Sequence, residues 1–305
     1  MMLKAALAAT SFRVLIAAAL TAAIVSAAAG AANGERERAL VASGSRQVTG
    51  GHVQSARLVR PRRGPRYALR GVYDRDSSPT GFDREAALGF NFIDSSPSRS
   101  QMNTLARRRL KGFVWLGGYS NDSCTFRNSD QWVRSHVATI ARSPGVGAYF
   151  IDDEPDASKC PTAPAQMRAR SRLVKSIDRR PKRPTFIVLQ RPEQLKLFAR
   201  TVDVIGLDRY PCKVHLNGCD FSIIRRQSAE ANRLRIRYWG VIQAHTDGYY
   251  KLPTPAELHQ QFVHWRRTKM EGYLVFAWRW PEDEPENWLA NRPELLAQLA
   301  KENAQ

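Results

Sequence analysis

From about residue 67 onward the chain repeats one alternation eight times: a short apolar run of strand character, then a longer segment with helical periodicity. Strand-like runs fall at 67–73, 89–93, 112–116, 147–151, 185–189, 202–207, 238–242 and 272–277. Helical patterns follow at 82–88, 101–110, 129–141, 163–177, 192–199, 222–234, from 254 onward, and at 293–301. In the third of these, Trp132, Val133, Val137, Ile140 and Ala141 form one apolar stripe. Strands that are apolar almost without interruption are buried on both faces, as in a parallel sheet covered by helices. Eight such units favour closure over an open sheet. No Gly-x-Gly-x-x-Gly follows the first run, which argues against a dinucleotide-binding fold. The expected fold class is therefore α/β, a single (β/α)8 TIM barrel over residues 66–305, a length that suits one barrel better than two smaller domains.

The residues before the barrel read differently. Lys4 and Arg13 precede the apolar run Val14-Leu15-Ile16-Ala17-Ala18-Ala19-Leu20, which continues to Val25 and is followed by small residues to Ala32. That order is the one of a cleaved secretory signal over 1–32; the alternative, a retained anchor, would need about 20 strongly apolar residues. Residues 33–65 lack apolar periodicity and are rich in Gly, Ser, Arg and Ala, so a flexible basic linker is expected. Ten Lys/Arg and two Glu lie in residues 1–66, so +8 of the formal net charge of +19 is carried there and +11 remains for the barrel. The barrel's cations are spread over its helical segments and do not interleave with aromatics, which argues against nucleic acid as a partner. Attraction to anionic cell-envelope polymers is the milder expectation.

Four cysteines in an exported chain point to disulfides. Three pairings are possible. Cys212 and Cys219 share one connection, and Cys124 and Cys160 occupy neighbouring loops after the third and fourth strands, so Cys124–Cys160 and Cys212–Cys219 are expected. No CxxC spacing marks a structural zinc site, and no cofactor is expected.

Polar residues collect where the strands end, the place where barrel active sites are built. Asp74, Asp94, Trp115, Gln190, Asp208 and Tyr210, Gln243 and His245, and Trp278 and Trp280 all occupy such positions. The fourth run ends in three adjacent carboxylates, Asp152-Asp153-Glu154, then Pro155. Strand alternation would put Asp152 and Glu154 on one face and Asp153 on the other, unless the strand end bulges. Two carboxylates that close cannot both ionise easily, and a raised pKa suits a general acid.

The order Ile151-Asp152-Asp153-Glu154-Pro155 resembles the fourth-strand signature of glycoside hydrolases with a (β/α)8 barrel. In their largest clan a Glu at this point is the acid/base, usually preceded by Asn; here Asp153 replaces the Asn. Val204-Ile205-Gly206-Leu207-Asp208-Arg209-Tyr210-Pro211 is similar to that clan's sixth strand, and Trp278 or Trp280 resembles its eighth-strand sugar platform. The resemblance implies Glu154 as proton donor, Asp152 or Asp153 as its tuner, and Tyr210, Gln243 and His245 as groups holding hydroxyl or acetamide. It breaks at the seventh strand, where the clan's nucleophile is Glu and this chain has Gln243. An amide cannot form a glycosyl-enzyme intermediate.

Several routes stay open. A second carboxylate from Asp208, Asp94 or Asp74 would give a wider, inverting gap. The pair Asp152/Glu154 is also similar to the Asp-x-Glu of chitinase-like barrels, in which the substrate's acetamide attacks. A barrel that binds carbohydrate without cleaving it is the main alternative, favoured by Gln243. A metal-dependent hydrolase would need carboxylates from adjacent strands to converge, and Asp208 is not on a strand adjacent to the fourth. The expectation is a secreted, monomeric glycoside hydrolase-like protein acting on O-glycosidic bonds of a poly- or oligosaccharide.

Overall fold

A computed structural model of the chain describes residues 67–75, 78–180, 183–280 and 284–305. The leader 1–32 and linker 33–65 expected from sequence lie outside these residues. Eight parallel strands close into a barrel in chain order. They are β1 Leu69–Val72, β2 Phe92–Ser95, β3 Lys111–Trp115, β4 Val146–Asp153, β5 Thr185–Leu189, β6 Val204–Leu207, β7 Tyr238–Gln243 and β8 Gly272–Phe276. The covering helices are α1 Pro79–Ala87, α2 Arg99–Arg107, α3 Asp130–Ile140, α4 Ala163–Ile177, α5 Leu195–Phe198, α6 Ser222–Arg233, α7 Pro255–Trp265 and α8 Pro293–Asn303. β8 pairs with β1 from Leu69↔Gly272 to Val72↔Val275, which closes the ring.

Two apolar layers explain why the strands tolerate no polar face. Residues such as Val114, Tyr149, Ile151, Ile187, Ile205 and Ile242 point outward and pack under the helices. Their neighbours Phe92, Phe113, Phe150, Phe186, Trp239 and Leu274 point inward and fill the barrel. Phe150 and Phe186 stack with centroids 4.4 Å apart, and Phe92 meets Trp239 edge-on at 5.7 Å. A Cβ on Gly206 would stand 2.7 Å from Val188 Cγ2, so this crowded interior requires glycine there. The aromatic plug makes the barrel a packed core and leaves only its mouth for ligands.

Local chemistry sets the element boundaries. α1 starts at Pro79, three residues before the apolar pattern predicts, because the Ser78 hydroxyl accepts the Gly81 N–H at 3.0 Å and proline suits the first turn. Thr254 and Glu257 form a capping box at the start of α7. The segment predicted as a helix over 192–199 is a 3-10 turn, Pro192–Gln194, followed by the single turn of α5. β4 runs two residues past Ile151, so Asp152 and Asp153 belong to the sheet. Disulfides join Cys124 to Cys160 and Cys212 to Cys219, as the loop positions predict. Among the described residues no helix is long and apolar enough to cross a membrane.

Candidate active site at the barrel mouth

The end of β4 carries the acidic triplet, and a bulge decides where each member points. Phe150 pairs with Phe186 but Asp152 pairs with Ile187, so Ile151 is an extra residue in the ladder. The bulge breaks strict alternation and separates Asp152 from Glu154. Asp152 is 1% exposed and turns toward the β3–α3 connection, where its Oδ1 accepts the Tyr119 N–H at 2.6 Å. Its Oδ2 is buried without a hydrogen-bond partner. Burial raises the Asp152 pKa to about 8; the Tyr119 N–H opposes the rise and the Asp153 charge adds to it. The shared pocket face expected for Asp152 and Glu154 is thus corrected: Asp152 pins a loop, while Asp153 and Glu154 stand exposed at the mouth.

Glu154 follows the bulge with φ +48°, a left-handed backbone that costs a non-glycine residue about 1–2 kcal/mol. The turn is braced on both sides. The Glu154 N–H donates to Val188 O at 3.1 Å, and its C=O accepts Asn121 Nδ2 at 3.0 Å. Asn121 Oδ1 accepts the Asp156 N–H at 2.8 Å. Burial works against the Asp156 carboxylate, yet hydrogen bonds from Ser158, Arg191 and Gln194 hold it below the usual range. The Cys124–Cys160 disulfide ties together the same two loops. Strain held in place by this much support marks a position whose side-chain direction matters.

Asp208, just past β6, reaches Glu154 across the end of β5. The two carboxyls lie within hydrogen-bonding reach. The wider, inverting gap considered for Asp208 as second carboxylate is not what this close pair offers. Burial, then the Glu154 charge and hydrogen bond, push the Asp208 carboxyl well above its ordinary range. Asp208 therefore keeps its proton at neutral pH, because burial and the neighbouring carboxyl both disfavour its charge.

Across the mouth, Asp94 at the end of β2 is pushed up to about 7, mainly by burial; Arg75 opposes the shift and Asp74 and Asp153 add to it. Asp153 also rises to about 7, through burial first and the Glu154 charge second, with Arg75 opposing. Its side chain keeps solvent access despite the protein atoms crowded round it, which tempers the rise. Tyr73 lies at the centre of this acidic ring. Burial and the charges of Asp153, Asp94, Asp208 and Glu154 keep its phenol protonated, a hydrogen-bond donor. Sequence reasoning named Asp74 but missed Tyr73 and Arg75. The signal was present, since Tyr73 shares the inward parity of Leu69 and Gly71.

Aromatic and amide groups complete the mouth. Tyr210 meets His245 edge-on at 4.7 Å and Tyr250 at 5.2 Å. Gln190 Nε2 donates to the Tyr250 hydroxyl at 3.2 Å. His245 is 4% exposed, and burial lowers its pKa to about 4, so it is neutral at ordinary pH. Trp280 packs on Phe276 at 4.7 Å, with the Arg75 guanidinium 4.6 Å from its ring centroid. Cavities of about 600, 310 and 200 Å³ open round the mouth: one by His245, Asp247, Phe276 and Trp280, one by Asp74, Asp94 and Trp115, and one by Glu154, Gln190 and Asn121.

Two expected sugar contacts are absent from this surface. Trp278 is 0% exposed and packs in the helix-facing layer, so it is no platform; Trp280 alone of the two reaches the mouth. Gln243 is also fully buried. Its Oε1 accepts the Cys212 N–H, and its Nε2 donates to Cys212 O and Lys251 O, all at 2.9 Å. Both amide hydrogens are spent on clamping the disulfide loop to the β7–α7 connection. Among the described residues, the one set of three ligand-type side chains close enough for a metal is Cys212, Cys219 and Glu257, and both sulfurs are in the disulfide. The mouth carboxylates do not converge in that way.

No family model matches the chain, and no curated protein matches it. Solved structures do. A β-glucuronidase from Faecalibacterium prausnitzii matches with a TM-score of 0.60 and 13% identity over 79% of this chain and 49% of that one. A β-D-glucuronidase from Dictyoglomus thermophilum gives 0.56 and 14% over 78% of this chain and 50% of that one. A candidate α-L-fucosidase from Bacteroides thetaiotaomicron gives 0.55 and 12% over 84% and 98%. The chain spans about half the length of the two glucuronidases. At such identities the likeness is one of fold, and the chain has the closed (β/α)8 barrel that these glycosidases share.

Proposed function

We propose that this protein is an exported glycoside hydrolase-like barrel that protonates an O-glycosidic bond with Glu154. The observation that carries the reading is the Glu154–Asp208 carboxyl pair, set on a strained, braced turn at a mouth with aromatic walls. In this scheme Asp208 stores a proton that burial keeps in place, and Glu154 delivers it to the leaving oxygen and is recharged through their hydrogen bond. A pair in direct contact is tighter than the roughly 5–5.5 Å that retaining enzymes use, so the two do not flank the scissile bond together. The opposing carboxylate is then Asp94, whose strongest charged neighbours are Arg75, Asp74 and Asp153. Half-ionised near neutral pH, it activates a water from the far side of the sugar, which is the inverting arrangement. Tyr73 donates to a substrate oxygen, and Trp280 and Trp115 offer ring faces for stacking. The two disulfides are compatible with export.

A second reading, carbohydrate binding without turnover, is favoured by Gln243, because the clan's nucleophile position is committed to loop clamping. Reducing-end release from a panel of oligosaccharides separates the two. Under the enzyme reading, wild type cleaves at least one member, and Glu154→Gln abolishes cleavage while retaining binding. Binding by wild type with no cleavage of any member would leave only the second reading.

A further inference from the structure

The barrel keeps +11 of the chain's formal charge, yet its mouth is acidic. Asp74, Asp94, Asp153, Glu154 and Asp208 come together there from the ends of β1, β2, β4 and β6. Arg75 acts on Asp94 and Asp153. Arg191 is engaged by Asp156, and Lys159 lines the small cavity beside Glu154 as an exposed side chain. The strongest charges acting on Asp208 are those of Glu154 and then Asp153. Two buried atoms at the mouth have no hydrogen-bond partner although their residues are only 4% exposed: Asp208 Oδ1, and His245 Nδ1 in the wall of the cavity of about 600 Å³. A buried polar atom left open at a cavity wall, as His245 Nδ1 is, awaits a group from a ligand. Trp280 and Phe276 line the same cavity, so what fills it has an apolar face as well.

We infer that the sugar accepted at this mouth carries positive charge: an oligomer of a hexosamine with free, protonated amino groups, taken in preference to N-acetylated, neutral or carboxylated sugars. This rests on the glycan-binding reading above and adds the charge of its ligand. An ammonium set among these carboxylates gains Coulomb energy in a partly desolvated site, whereas a uronate brings one more like charge to a surface already crowded with them. An ammonium beside Asp94 and Asp153 favours their ionised forms and leaves the Asp208 proton in place, so binding releases protons to solvent.

The test is binding to the intact chain, followed by tryptophan fluorescence in stopped flow before turnover. The probes are tetramers of glucosamine and of galactosamine, their N-acetylated forms, and a galacturonate tetramer. At neutral pH and low salt, one free-amine tetramer is expected to bind about tenfold or more tightly than its N-acetylated form, with the galacturonate weakest. Added salt should shrink that preference in wild type. Asp94→Asn should reduce affinity for the free-amine tetramer several-fold more than affinity for the N-acetylated one. Release of protons on binding, read with a pH indicator in weak buffer, should accompany only the free-amine tetramer. Equal or tighter binding of N-acetylated or carboxylated tetramers at a site lost in Trp280→Ala overturns the charge inference and leaves the glycan reading standing. Failure of every tetramer to bind overturns both.

Discussion

Restoring the glycosidase residue at the end of β7, Gln243→Glu, should damage the fold and create no activity. The Gln243 amide uses three hydrogen bonds at 2.9 Å, two of them donated to the carbonyls of Cys212 and Lys251. A carboxylate there would face two carbonyl oxygens with no hydrogen to give, in a site with no solvent access. The new Glu must therefore hold a proton, satisfy one carbonyl and orphan the other. The orphaned acceptor costs about 2 kcal/mol. Keeping the proton costs about 1.4 kcal/mol for each pH unit above ~4.3, where the unfolded side chain ionises, or roughly 4 kcal/mol at pH 7. Because the folded pKa is raised, the second penalty is absent in acid and grows as pH climbs. The expected loss is about 2 kcal/mol near pH 4 and about 6 kcal/mol near pH 7. In a domain of this size the latter is a drop of ~10–20 °C in melting temperature. Thermal unfolding followed by near-ultraviolet circular dichroism across that pH range measures it. A variant that melts within ~2 °C of wild type at neutral pH, or that gains glycosidase turnover, would refute the assignment of Gln243 to loop clamping.

Other consequences follow from the same geometry. Asp94 and Asp153 at about 7, Asp152 at about 8 and the raised Asp208 all bind protons that the unfolded chain has released above pH ~4. Their stabilisation is whole below that value and is lost as pH rises, so melting temperature should fall between about pH 4 and pH 8. Asp152→Asn keeps an acceptor for the Tyr119 N–H and should flatten the upper end of that fall; a profile that rises toward pH 8 contradicts the shifts. The Cys124–Cys160 bridge spans 36 residues and Cys212–Cys219 spans 7, so chain entropy gives about 4 and about 2 kcal/mol. Double Cys→Ser replacement of the first pair should lower the denaturant midpoint more than replacement of the second. Trp278→Ala should cost about 3–5 kcal/mol in urea unfolding. Trp280→Ala should cost little stability but weaken oligosaccharide binding by roughly tenfold in fluorescence titration; the reverse order would mean that the two rings were misassigned.

The barrel was legible because its signal is repeated. Eight apolar runs with helices between them tolerate a misplaced boundary, and the errors at Pro79, at 192–199 and at Val204 left the topology intact. The site was less legible because it depends on single residues where the periodicity ends. Alternation assigned Asp152 and Glu154 to one face, and one extra residue at Ile151 undid that. Alternation likewise put Trp278 beside Trp280, but the chain past β8 no longer follows the pleat, and Trp278 joins the outer layer. Gln243 read as a failed nucleophile because nothing local in sequence reveals hydrogen bonds to Cys212 and Lys251. Asp208 was named as a candidate, but its contact with Glu154 across β5 depends on side-chain reach in three dimensions. Tyr73 could have been found by carrying the parity of Leu69 and Gly71 one step past the strand end.

The most direct measurement is an isotope-edited infrared titration of the side-chain carboxyls, comparing wild type with Asp208→Asn. The account predicts a protonated-carboxyl band that persists through neutral pH in wild type, loses intensity in Asp208→Asn, and changes when Glu154 is replaced by Gln. A spectrum in which every carboxyl of the wild type is ionised by about pH 6 would contradict it, for then the mouth of the barrel would hold no proton for Glu154 to deliver.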